Sequence, residues 1–124
     1  MELRQSGILL HRFESTEKEY TSTVIYNLGV RHLRKESLDV AYAFFCDALN
    51  YVYGKQKSGR DLNKTLIGDT TKQEILGRSY NNLAFINHLR GLDSLVKTNL
   101  EAALKKDPGL IEARENLELL TSKV

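Results

Sequence analysis

The sequence has little of three residue types that shape many small folds: its 124 residues include one cysteine, one proline and no tryptophan. The single cysteine, Cys46, excludes an intramolecular disulfide and favours a reducing compartment. No apolar run approaches the roughly 20 residues that span a bilayer, and a net charge of +2 is too small to indicate nucleic acid or a membrane surface. We therefore expect a cytoplasmic protein, with the nucleus as an alternative, that binds neither nucleic acid nor membrane.

Helices are the structure that the remaining composition favours. Apolar residues make up 41% of the chain and charged residues 27%, as in soluble globular proteins, and the scarcity of proline leaves helices uninterrupted. Apolar residues spaced three and four apart, with capping residues at the ends, predict helices at about 16–34, 37–54, 70–89, 92–106 and 110–120. The stretch 1–14 leaves three alternatives open: a helix, an edge element or a flexible tail.

Side chains that could carry out chemistry are few and scattered. His11, His32 and His88 have no metal-ligand spacing, and no cysteine or carboxylate pair joins them. We expect His32 and Cys46 to be structural residues on helices. The stretch 54–59, GKQKSG, lacks the spacing of a phosphate-binding loop. Since no nucleophile can be paired with a base, we expect a protein that is not an enzyme and that binds no metal and no cofactor.

The basic residues of the polar region after the second helix have two interpretations. The first is that they are solvated by water on a loop. The alternative is a basic contact with an acidic partner or a phosphate group. The residues concerned are Lys55, Lys57, Arg60 and Lys64.

An Asn-Leu pair occurs three times in the predicted helices. Leu28 and Leu83 are 55 residues apart, and Leu83 and Leu117 are 34 apart. Thirty-four residues is the period of the tetratricopeptide repeat, a helix-turn-helix unit that stacks into a superhelix. The matching residues are Ile25, Leu28, Gly29, Ala41, Phe45 and Ala48 in the first unit, and Tyr80, Leu83, Ala84, Gly91, Leu100, Ala103 and Pro108 in the second. The chain therefore resembles the tetratricopeptide-repeat family over about residues 22–120.

The resemblance implies an all-α fold with two tetratricopeptide-like helical hairpins and a C-terminal capping helix in a single domain. Two features depart from the family: an insertion separates the two units, and the first unit lacks the turn glycine and the terminal proline. The expected parts are an N-terminal extension at 1–15, a first hairpin at 17–54, an inserted loop at 55–71, a second hairpin at 72–107 and the capping helix at 110–121.

The resemblance also implies where a ligand binds. In stacked repeats of this family, the first helix of each unit lines a concave groove, and the residue before the packing leucine points into that groove. Asn27, Asn82 and Asn116 occupy this position. Because an asparagine amide both donates and accepts, such a ladder can hold the backbone of an extended peptide. The alternative is that these asparagines support helix contacts or face water. The neighbouring groove candidates are Tyr26, Val30, Arg34, Arg78, Phe85, His88 and Leu119.

The function that the resemblance implies is a non-catalytic protein-protein interaction module, an adaptor, scaffold or chaperone-like subunit that binds a partner peptide or segment in its concave groove. The alternative is a structural assembly subunit that self-associates or docks into a larger complex through its convex face or its inserted loop. Because two full units are fewer than the three that usually give a stable array, a homodimer is also left open.

Overall fold

The computed structural model describes residues 2–10, 17–54 and 69–122. All regular secondary structure in these ranges is helical, which confirms the all-α prediction. Within them, no helix is both long enough and apolar enough to cross a membrane. The helices are α1 (Glu17–Arg34), α2 (Leu38–Tyr53), α3 (Asp69–Leu89), α4 (Asp93–Lys106) and α5 (Ile111–Thr121).

The ends of the helices follow local signals in the sequence. α2 ends at Gly54, whose left-handed φ of 71° lets its N–H bond to carbonyls of the last turn. α4 ends at Asp107, before Pro108, which cannot continue a helix. One detail differs from expectation: α3 begins at Asp69, so Thr70 and Thr71 lie inside its first turn and not before it.

The α1–α2 and α3–α4 turns have the same hydrogen bonds although their sequences differ. Ser37 N–H donates to the carbonyl of His32 at 3.0 Å, and Leu92 N–H donates to that of Asn87 at 2.9 Å. Each bond spans five residues, the pattern of a Schellman motif, which requires a left-handed residue one position earlier. That residue is Gly91 in the second turn and Glu36 in the first, with φ of 75° and 62°. The glycine missing from the first unit is thus replaced by a glutamate in the same conformation.

Consecutive helices pack against each other from α1 to α5, and α3 also contacts α1 and α5. The buried apolar residues form two clusters, one centred on α1, α2 and α3 and the other on α3, α4 and α5. Tyr80 and Phe85 of α3 pack against both clusters. α3 is therefore the central element that joins the two hairpins.

A glycine allows α1 and α2 to approach closely. A Cβ atom on Gly29 would lie 2.7 Å from Cε1 of Phe45, which is fully buried. The Phe45 ring also packs at a tilt against Tyr26, with ring centroids 5.6 Å apart. The small residue predicted at this position therefore leaves the space that the phenylalanine fills.

Candidate functional site

An extended stretch of the chain itself crosses the first helix of each hairpin and the final helix. Residues 2–10, the N-terminal segment, form neither helix nor strand, and they make hydrogen bonds to α1, α3 and α5. Of the three alternatives left open for this stretch, the structure thus shows none as a regular element: the segment is an ordered, non-helical strap over the helices.

Two of the three asparagines bind the segment at its ends. Leu9 N–H donates to Asn27 Oδ1 at 2.8 Å, and Asn27 Nδ2 donates back to the Leu9 carbonyl at 2.7 Å. At the other end, Arg4 N–H donates to Asn116 Oδ1 at 2.7 Å, and Asn116 Nδ2 donates to the Arg4 carbonyl at 2.8 Å. Each amide therefore satisfies both main-chain groups of one residue, as a neighbouring strand does in a sheet.

Asn82 binds the middle of the segment in the same way. Ser6 N–H donates to Asn82 Oδ1 at 2.7 Å, and Asn82 Nδ2 donates to the Ser6 carbonyl at 3.3 Å and to the Tyr26 hydroxyl oxygen at 3.1 Å. The Tyr26 hydroxyl in turn donates to the Gly7 carbonyl at 2.9 Å. The three asparagines thus act in line on one peptide backbone, despite the irregular spacing of the units.

The length of the segment matches the width of the helices that it crosses. Arg4 and Leu9, the residues bound at the two ends, are five residues apart, and an extended chain spans at most about 3.3–3.6 Å per residue. This gives a reach of about 17 Å. Two steps between packed helices, each of about 8–10 Å, need a similar distance. A helical segment of that length could not reach from Asn27 to Asn116.

Side chains of the segment enter the protein at every third residue. Leu3, Ser6 and Leu9 are buried, with exposed fractions of 5%, 0% and 8%. Leu9 belongs to the first apolar cluster and Leu3 to the second. Leu10, by contrast, is 87% exposed. The segment is therefore held through its backbone along its length and through three side chains.

The other groove candidates are placed unequally. Val30 is buried in the first cluster with Leu9, and Arg34 lies beside Gly7, since its Nη2 atom is 3.9 Å from the position of a Cβ there. Phe85 and His88 line a surface pocket together with Leu3, Arg4 and Gln5 of the segment.

Arg78 and Leu119 are directed elsewhere. Arg78 forms ion pairs with Glu74 at 4.0 Å and with Asp107, in the turn before α5, at 3.7 Å. Leu119 is exposed and lines a shallow depression formed by α5 and Ser122. Neither residue has a contact with the N-terminal segment among those that the structure describes.

Two contact residues were missing from the sequence prediction. Asn81 Nδ2 donates to the Arg4 carbonyl at 3.0 Å and to the Ser6 hydroxyl oxygen at 3.1 Å, while Asn81 Oδ1 accepts from Asn116 at 2.8 Å. Glu115 forms an ion pair with the Arg4 guanidinium. The doubled asparagine at 81–82 was a visible signal, but the Asn-Leu alignment selected only its second member. The segment itself was also missed as the occupant.

Burial sets the electrostatic character of the middle of the site. Tyr26, Asn81 and Asn82 are fully buried beneath the segment. Burial raises the pKa of the Tyr26 hydroxyl far above its usual value, with a smaller opposing effect from Arg78. The tyrosine is therefore a neutral donor at every physiological pH, which suits its bond to the Gly7 carbonyl.

The residues considered for chemistry lie away from this groove or outside the described ranges. His32 is partly buried and stacks on Phe44 with ring centroids 5.4 Å apart. Cys46 is half-buried, and burial raises the pKa of its thiol, which keeps the thiol protonated and a poor nucleophile. Over 2–10, 17–54 and 69–122, no three His, Cys, Asp or Glu residues are grouped so that they could hold a metal ion. His11 and the basic contact candidates Lys55, Lys57, Arg60 and Lys64 fall outside the described residues.

The groove and its occupant are features of this chain for which comparison supplies no precedent. No protein-family model, no curated protein and no solved structure matches the chain.

Proposed function

We propose that this chain is a non-catalytic protein-interaction module of the tetratricopeptide type, an adaptor or chaperone-like subunit of the cytoplasm or nucleus. Its concave groove, lined by α1, α3 and α5, holds an extended segment of a partner protein. One observation carries the proposal: Asn27, Asn82 and Asn116 each use both ends of the side-chain amide to bind the backbone of a single residue.

This arrangement suits recognition of a peptide backbone. A donor and an acceptor presented together match the N–H and C=O of any extended residue except proline. Each such bond contributes about 0.5–1.5 kcal/mol net, and the six bonds of the ladder fix the ligand in one register. The N-terminal segment occupies the groove as an intramolecular stand-in for such a ligand.

The repetition of local geometry supports the family resemblance behind the proposal. An offset of 55 residues relates Asn27 to Asn82, and the same offset relates Glu36 to Gly91 in equivalent turns. Asn82 and Asn116 are related by 34 residues, the repeat period. The pattern predicted from the sequence thus recurs in side chains, turns and ligand contacts alike.

The test is a selection of peptides on an opened groove. The full chain with Ser6→Glu places a carboxylate in a fully buried position, so the segment should leave the groove. A library of random nine-residue peptides displayed on phage is then selected on this variant. We expect enriched peptides that lose binding when Asn82→Ala and Asn116→Ala are added. Circular dichroism checks that both variants keep their helix content.

The same experiment separates the proposal from the alternative of an assembly subunit. Peptides that survive the two asparagine substitutions but are lost when residues 58–65 are deleted would contradict a groove function and favour the inserted loop. An absence of enriched peptides on a folded, opened chain would also contradict it. Light scattering on the wild-type chain shows whether it self-associates.

A further inference from the structure

We propose that the groove selects extended segments by a leucine-x-x-serine-x-x-leucine pattern, and that residues 2–10 are the resident competitor that such a ligand must displace. The inference deepens the proposed function and rests on it. The asparagine ladder reads a backbone, whereas the three buried side chains of the segment add sequence selectivity.

The serine position is the most restrictive of the three. Ser6 is fully buried, and its hydroxyl oxygen accepts from Asn81 at 3.1 Å. Its surroundings include Asn82 and Tyr26, which are also fully buried and whose polar atoms are engaged with the segment. A larger side chain would displace these groups, and a charged one would be buried without a partner. A small hydroxyl side chain is what the site accommodates.

The two leucine positions fix the direction and the register of the ligand. Leu3 enters the cluster formed with α4 and α5, and Leu9 enters the cluster formed with α1 and α2. Because these two clusters lie on opposite sides of Asn82, a ligand runs from α5 towards α1. A shift by one residue would remove both leucines from their clusters. Intervening positions are tolerant, since Arg4, Gly7 and Ile8 are exposed.

Competition by the N-terminal segment follows from its covalent attachment. A tethered ligand has an effective concentration of about 1 mM. If the untethered segment binds with a Kd of about 10 µM, the tethered copy weakens a free ligand about 100-fold. The resident segment therefore sets a threshold that only a closely matching partner, or one present at high concentration, exceeds.

The experiment uses a fluorescent peptide with the sequence of residues 2–10, ELRQSGILL, and measures its anisotropy with the full chain. We expect the Ser6→Glu chain to bind this peptide about 100-fold more tightly than the wild-type chain does. If Ser6→Glu lowers the helix content, Arg4→Pro is used as the opened chain, because it removes the N–H that Asn116 accepts.

Peptide variants test the pattern. Replacing the serine of the peptide with leucine, or either buried leucine with aspartate, should weaken binding to the opened chain at least about tenfold. The matched control replaces the last leucine of the peptide, which corresponds to the exposed Leu10, and should leave the affinity within about twofold.

The possible results distinguish this inference from the proposed function. If no peptide binds the opened chain, the groove function itself fails. If the original and the serine-to-leucine peptides bind equally well, the groove function stands and the pattern is overturned. Equal affinity for the wild-type and opened chains overturns the competitor. A wild-type dimer that becomes monomeric with Ser6→Glu would show that a second copy supplies the segment, which also overturns the intramolecular competitor.

Discussion

At the scale of single residues, Tyr26 links the folded core to the groove. Its ring packs against Phe45, while its hydroxyl accepts from Asn82 and donates to the Gly7 carbonyl. A buried hydroxyl between two polar partners must stay protonated, because an oxyanion would be desolvated and would face a carbonyl oxygen. The stability of the groove is therefore tied to the protonation of one tyrosine.

This predicts a specific loss of stability in alkali. Burial raises the pKa of Tyr26 in the folded chain above the usual value of about 10 that it has when unfolded. Below pH 10 both states keep the proton, and the stabilisation is complete. Above it the unfolded chain releases the proton first, so stability falls by up to about 1.4 kcal/mol per pH unit.

The comparison is with Tyr26→Phe, because the other tyrosines and the lysines titrate equally in both chains. We expect the wild-type chain to be more stable by about 1–2 kcal/mol at pH 8, since Phe leaves Asn82 and the Gly7 carbonyl with one partner fewer. Urea denaturation from pH 8 to pH 11 should show this advantage shrinking above pH 10. An advantage that stays constant over this range would contradict the prediction.

At the scale of elements, the helices could be predicted closely because their signals are local. Apolar spacing, Gly54 and Pro108 placed the helix ends to within a few residues of those observed. The α1–α2 turn could not be predicted as well, since a glutamate holds the position where the repeat has glycine. Hydrogen bonds from Glu36 and Ser37 to carbonyls of α1 keep this residue left-handed. The strain is hidden from sequence patterns because the rest of the turn compensates for it.

The two equivalent turns predict opposite effects of exchanging their residues. A left-handed conformation costs about 1–2 kcal/mol for a residue with a Cβ atom, and glycine costs about 0.5–1 kcal/mol in unfolded-state entropy. Glu36→Gly should therefore stabilise the chain by about 0.5–1 kcal/mol. Gly91→Ala should destabilise it by about 1–2 kcal/mol, although a Cβ there has open space.

Urea denaturation measures both changes. Gly91→Asn is the matched control, because asparagine tolerates the left-handed region and should cost less than alanine. Equal costs for alanine and asparagine, or a destabilising Glu36→Gly, would show that strain in these turns is not what separates them.

At the scale of the whole molecule, the N-terminal segment could not be predicted. The alignment of three asparagines required only a repeat period, and it survived an irregular spacing of the units. The occupant of the groove lacks helical or strand periodicity, and its bonds join residues 76 and 112 positions apart. Such long-range pairing depends on the assembled helices. The Leu3, Ser6 and Leu9 spacing of three residues acquires meaning only once the groove exists.

The segment is also a structural link between the two halves of the core, because Leu9 packs in the first apolar cluster and Leu3 in the second. Truncating a buried leucine removes apolar contact and leaves a cavity, which costs about 2–5 kcal/mol. We expect Leu3→Ala and Leu9→Ala each to lower the free energy of unfolding by about 2 kcal/mol, near the lower limit, since the segment lies at the edge of the core. Leu10→Ala, the exposed neighbour, should change it by less than about 0.5 kcal/mol.

Hydrogen exchange should show that the two leucines protect different parts of the molecule. Leu3→Ala should speed exchange mainly in α4 and α5, and Leu9→Ala mainly in α1 and α2, because each side chain packs in a different cluster. α3 should be affected by both, since Tyr80 and Phe85 contact both clusters. If Leu10→Ala matched Leu9→Ala, or if both buried substitutions loosened the same helices, the segment would not be the link between the two clusters that its packing indicates.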